Sequence, residues 1–349
     1  MSRSIGILQK TRFWAGFLLA QFLLFSLLSR NFSIVTFASH FFEWRKTIQS
    51  ELFSPIPFSA GDVLYTILAV SILYNLIGFL FKKKNRYLRT VFIILNVFYF
   101  IYQFFWGLLY FQPPVSDRLP QKEISDRRIE YLIEKYLYQC IEDRHNVQEN
   151  HQGIFKITDP DKLKSIVLKN QTNIPIFITD KAKIKTVNMK ASLFRTVMSY
   201  TGILGYYNPF TSEVQYNPDL PDTSIPFTLA HETAHQSGFA REQEANFIGY
   251  LIGKNARDAD LKYSTNYFVL KSLLNYYNNK NPDVVQQILQ KYSPGMKRDR
   301  MNEKAFAEQH KGWLDTVFGI SNDLFLKSNK QEGRITYSYF IYLLNRYEQ

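Results

Sequence analysis

The residues with chemical potential lie together in one run, Leu229-Ala230-His231-Glu232-Thr233-Ala234-His235-Gln236-Ser237-Gly238-Phe239-Ala240-Arg241-Glu242-Gln243-Glu244-Ala245-Asn246-Phe247. On a helix His231 and His235 stand one turn apart, so both imidazoles leave the same face and can hold one Zn2+. Glu232 sits beside them and is not needed as a ligand, which leaves its carboxylate to act as a general base toward water. Gly238 can take the left-handed backbone that ends a helix and reverses the chain, allowing a second helix to return a side chain to the metal. Arg241 has no lone pair to offer. Glu242 has, and it would complete a His2Glu set with a fourth position open, the pattern of catalytic zinc. Glu244 is the alternative third ligand, although two positions further along a helix it points about 200° away.

The segment Arg241–Phe247 resembles the E-x-x-A-[DN] signature of the second active-site helix in gluzincin metallopeptidases. That likeness implies Glu242 as the third ligand and Asn246, one turn further on the same face, as a hydrogen-bonding support. The whole layout resembles an uncharacterised family of bacterial membrane-anchored zinc metallopeptidase-like proteins, with N-terminal spans, a Gly205-Tyr206-Tyr207-Asn208-Pro209-Phe210 hairpin and an HExxHQxGFxRE block. It extends over most of the chain. The interval from His235 to Glu242 is shorter than in ordinary gluzincins.

This resemblance implies an α+β protein, a mostly helical zincin-like domain with a small sheet, carrying one Zn2+ and hydrolysing peptide bonds of a protein or peptide substrate with Glu232 as base. Zincins hold an extended substrate against an edge strand that precedes the active-site helix. Tyr206, Tyr207 and Val214 are then the expected substrate contacts, with ordinary cross-strand pairing as the alternative. A donor must also face the developing oxyanion. Tyr206, Tyr207, Tyr250, Arg298, Tyr337 and Tyr339 are candidates, and Thr336-Tyr337-Ser338-Tyr339, similar to the family's terminal motif, favours Tyr339. The alternative function is a zinc-binding membrane sensor that keeps the fold without proteolysis; a base at Glu232, which structural zinc does not need, favours the enzyme.

Several elements must position this run. Ile129, Leu132, Ile133, Tyr136, Leu137 and Cys140 recur at helical spacing over Asp126–Asp143, making Cys140 a core residue. Ile174–Ile178 and Ile184–Val187 read as strands, and Tyr206–Asn217 as a hairpin around Asn-Pro-Phe-Thr-Ser. From Pro226 onward the sequence reads as helices broken at Gly238, 255–260, 278–282, 293–295 and 332–333. A single cysteine excludes disulfide frameworks and cysteine-rich metal sites.

With 349 residues, 46% of them hydrophobic, the chain is long enough for two domains and too apolar for disorder. Residues 13–29, 63–81 and 90–116 carry no charge. Three transmembrane helices, about 13–29, 63–81 and 90–111, therefore form an N-terminal membrane region of residues 1–111, followed by a zincin-like domain over 115–349. The net charge of +12 is concentrated in the first part, which holds eleven Lys and Arg against Glu43, Glu51 and Asp62 alone. Such clustering between apolar segments reports membrane orientation and argues against nucleic acid as a partner. The most basic loop, Lys82-Lys83-Lys84-Asn85-Arg86 with Arg89, belongs in the cytoplasm with the N-terminus. Three spans from there put the C-terminal domain in the periplasm of a multi-pass protein of the bacterial cytoplasmic membrane. The first span is expected to be retained, because no small-x-small cleavage site follows it. Phe41, Phe42, Trp44, Phe53 and Phe58, between spans one and two, are expected at the bilayer interface.

Overall fold

A computed structural model describes residues 10–312 and 336–348. Its first helices are α1 (Thr11–Leu28), α2 (Phe32–Phe53), α3 (Ala60–Lys82) and α4 (Asn85–Phe105). Of these, α1, α3 and α4 are long and apolar enough to cross a membrane. Inside the bundle the polar side chains pair with one another: Gln21 donates to Asn96 Oδ1 at 2.9 Å, and Asn96 donates to the carbonyl of Trp14, since an amide with no partner in hydrocarbon is costly. The third span stops earlier than the charge-free stretch suggests. After Phe105 the chain tightens into a 3-10 turn, Gly107–Phe111, and turns back over the second half of the protein.

The remaining elements are α5 (Asp126–Arg144), α6 (Pro160–Asn170), β1 (Met189–Ala191), α7 (Arg195–Thr201), β2 (Gly205–Asn208), β3 (Glu213–Tyr216), α8 (Ile225–Gln236), α9 (Glu242–Gly253), α10 (Ala259–Asn278), α11 (Pro282–Gln290), α12 (Pro294–Gln309) and α13 (Thr336–Tyr347). The structure is mostly helical, with a small mixed sheet ordered β1-β3-β2. Strand β3 pairs parallel to β1 and antiparallel to β2, Tyr207 standing opposite Val214. The main core lies between this sheet and α5, α8, α9, α10 and α13, with Cys140 fully buried in it.

Neither Ile174–Ile178 nor Ile184–Val187 forms a strand, and the strand that precedes the hairpin, β1, begins instead at Met189. In the first segment the Pro175 carbonyl accepts from Ile178 N at 2.9 Å, closing a turn that leaves Ile176 and Phe177 exposed. In the second, the Gln171 side chain bonds both the N–H and the carbonyl of Ile184, removing them from any ladder.

The apolar helices α3 and α4 and the rest of the chain interlock. The hairpin tip enters the bundle end, with Phe210 4.9 Å from Phe98 and Tyr65 stacked on Tyr206. The first turn of α3 is held from above: Ala60 N and Gly61 N donate to Glu213, whose partner is Lys190 at 2.9 Å. Helix α2 exposes Trp44 while burying Phe42 against Trp106 and Tyr207. Phe42 is therefore a packing residue and departs from the interfacial set.

Candidate metal centre

Helix α8 opens with Pro226 in its first turn, where the missing N–H costs nothing. It places His231 and His235 on one face with ring centroids 4.8 Å apart. The helix ends at Gln236, and Gly238 has φ +93°, the left-handed conformation that its position requires. A Cβ there would lie 2.8 Å from the Phe42 ring. The chain reverses, and α9 starts at Glu242 and packs closely along α8. At Gly249 an added Cβ would sit 3.1 Å from His231 N.

This pairing brings Glu242 to both histidines. Its two carboxylate oxygens lie 3.3 Å from His231 Nε2 and 3.5 Å from His235 Nε2. The other ring nitrogens are committed: His231 Nδ1 to Asn246 Oδ1 at 2.8 Å, His235 Nδ1 to the Phe239 carbonyl at 2.7 Å. An acceptor at each Nδ1 fixes the proton there and turns the Nε2 lone pairs toward one point, the usual support of a ligating imidazole. Asn246 thus lies beside His231 and away from the Nε2 atoms.

Glu232 also stands near the pair, with ligand atoms of His231, Glu232 and His235 all within 4.8 Å of one another. Glu242 reaches both Nε2 atoms from a separate helix. Glu232 has a different character: it is buried, and its Oε2 has no hydrogen-bond partner. Burial raises its pKa, opposed by the two imidazoles. Gly205 at the start of β2 packs against it, and a Cβ there would come within 2.9 Å of Glu232 Cγ. Glu244 points elsewhere, accepting from Val115 N and Arg241 at 2.9 Å each.

Without a metal the cluster is electrostatically self-paired. Burial would lower the pKa of His235, but the Glu242 carboxylate reverses this and lifts it to about 9. Burial likewise works against the Glu242 carboxylate, yet the histidines hold its pKa well below the ordinary range. The set fits a zinc ion: two oriented nitrogens and a carboxylate converge, and a buried carboxylate oxygen lacking a partner adjoins them.

The profile of one family, described as a protein of unknown function (DUF3810), matches residues 37–345. The chain belongs to the DUF3810 family. Neither a curated protein nor a solved structure matches it. The DUF3810 match runs from within α2 into α13, so α3, α4, the hairpin and the His–Glu cluster all fall inside one family unit.

The other expected residues are placed differently within this DUF3810 unit. Tyr206 donates to Asp62 at the head of α3, and Tyr207 is buried between Phe42 and Trp106. Val214 is fully buried in the main core. Tyr250 donates to Glu348 and Arg298 to the Gly153 carbonyl. Tyr339 is 38% exposed with its ring on Tyr342, and the side chain of Tyr337 lies outside the described residues.

Sequence reasoning passed over the 3-10 turn after α4. Trp106 stands edge-on to His235 at 5.8 Å, and Tyr110 is buried close enough to Glu242 for its charge, after burial, to raise the phenol pKa. Arg241 holds this turn in place, donating to the carbonyls of Tyr110 and Gln112, while Gln112 donates to the Gly238 carbonyl. The aromatic run had been absorbed into a membrane span, and only the i, i+4 spacing of Trp106 and Tyr110 hinted at a shared face.

Proposed function

We propose that this protein is a membrane-anchored, zinc-dependent metallopeptidase with a gluzincin-like site, acting on protein or peptide substrates. The observation that carries the reading is the convergence of His231 Nε2, His235 Nε2 and both Glu242 oxygens beside the unpartnered Glu232 Oε2. His231, His235 and Glu242 would hold the ion, and zinc bound there supplies Lewis acidity toward a peptide carbonyl and toward water. Asn246 and the Phe239 carbonyl keep the imidazoles in the ligating tautomer. Glu232, with a pKa raised by burial, accepts a proton from the attacking water at Oε2 and passes it to the leaving amine. Arg241 fixes the Trp106–Gln112 turn that walls the site and limits solvent access on the His235 side.

The test is zinc analysis of the purified full-length protein together with hydrolysis of unfolded proteins. The reading expects about one zinc per chain and hydrolysis abolished by a chelator and restored by zinc. A folded protein that binds no zinc overturns it.

A further inference from the structure

Four apolar side chains between β1 and β2 face solvent: Leu193 at 56%, Val197 at 57%, Tyr200 at 40% and Leu204 at 47% exposure. Val197 and Tyr200 share the exposed face of α7, whose Met198 and Ser199 are buried, and Leu193 just before the helix and Leu204 just after it extend this apolar stripe along the chain. A contiguous apolar patch of this kind calls for a covering.

Its place in the fold says what covers it. The strand leading into the stripe, and the residues just after it, are tied to α2 and to the apolar helix α3. Lys190 Nζ donates to the Phe53 carbonyl at the end of α2. Ser192 Oγ and Leu193 N donate to the Asp62 carboxylate, in the first turn of α3, at 2.9 and 2.7 Å. Leu193 thus leaves the sheet at the height where a membrane-crossing helix begins, and Phe58, just ahead of that helix, is also exposed. Arg195 stands on the stripe's rim, 58% exposed and 3.2 Å from Asp219, the residue type suited to lipid phosphate.

We propose that the stripe Leu193, Val197, Tyr200 and Leu204 seats in the headgroup–acyl boundary of the leaflet at the Asp62 end of α3, as an interfacial membrane contact additional to the spans. This follows from the junction at Asp62 and Phe53 and is independent of the enzymatic reading.

The test uses the full chain in vesicles of phosphatidylcholine and phosphatidylglycerol. Val197→Cys and Leu204→Cys, at exposed positions that leave the fold intact, are labelled with an environment-sensitive fluorophore; the native Cys140 is fully buried. The expected result is blue-shifted emission, several-fold stronger quenching by lipid carrying a shallow nitroxide than in nitroxide-free vesicles, and protection from aqueous iodide. Free quenching by iodide with none by the nitroxide lipid overturns the proposal. Protection from iodide without nitroxide quenching also overturns it and indicates a protein covering.

Discussion

At the scale of single residues, each histidine of the pair divides its ring nitrogens between two tasks. Nδ1 donates to a fixed carbonyl oxygen, and Nε2 meets Glu242. Loss of one of three protein ligands leaves too few to compete with water, so His231→Ala, His235→Ala and Glu242→Ala should each purify without zinc. Glu244→Ala should keep it, because Glu244 is engaged with Val115 and Arg241. Metal analysis of the four variants decides between the carboxylates, and the reverse pattern for the two glutamates would move the ligand to Glu244. Glu232→Gln keeps size and polarity but cannot take up a proton. It should retain zinc and fold while peptide hydrolysis falls by about 10²–10⁴, the usual share of general acid–base catalysis. Equal hydrolysis by Glu232→Gln and wild type would remove Glu232 from the mechanism.

At the scale of elements, what positions these residues is the close approach of α8 to α9 on one side and to β2 on the other. The first was legible in the sequence, because His231, His235, Gly238 and Glu242 are near neighbours along the chain and local periodicity fixes their faces. Helix α5, the hairpin and the helices α8 to α12 were legible for the same reason, while the break expected at 332–333 lies outside the described residues. The strands expected at Ile174–Ile178 and Ile184–Val187 were not, because Pro175 and the Gln171 side chain claim the backbone groups that a ladder needs. The wall formed by Trp106 and Tyr110 was hidden too, since contacts over more than a hundred residues leave no local pattern. Gly205 illustrates the limit: it reads as a hairpin residue, yet it lies directly against Glu232. Gly205→Ala puts a methyl within 2.9 Å of Glu232 Cγ, Thr228 Cγ2 and the Gln215 carbonyl. Such overpacking costs about 1–3 kcal/mol, and displacement of the base should lower hydrolysis on the order of 10²-fold with zinc content unchanged. Activity at the wild-type level would show that β2 does not set the position of Glu232.

At the scale of the whole molecule, the N-terminal apolar helices and the rest of the chain are joined by charged and polar groups removed from water, and this junction has its own pH dependence. Lys181 sits between α2 and the Trp106–Gln112 turn, 2.8 Å from Gln112 Oε1 and 3.9 Å from Glu43. Burial lowers its pKa from 10.5 to about 8, with Glu43 only partly offsetting the effect. Between those values the unfolded chain binds a proton that the folded one does not, so folded stability contributed by this group rises with pH across that window and is flat below it. Thermal melts of wild type and Lys181→Met should run parallel below pH 8, and the wild type should gain relative to the variant from about 8 to 10.5. A constant difference over the full range would mean that Lys181 is not buried as an amine. The orientation of the junction is a separate question. Lys82, Lys83, Lys84 and Arg86 are exposed at the turn between α3 and α4, and basic loops of this kind stay in the cytoplasm. In the orientation we propose, with all three helices crossing, the two ends of the chain fall on opposite sides and the His–Glu cluster lies outside with the C-terminal end. A reporter active only in the cytoplasm should be silent when fused after Gln349 and active when inserted at Lys83. Activity at both positions would mean an even number of crossings, whereas activity after Gln349 alone would invert the protein and place the metal site in the cytoplasm.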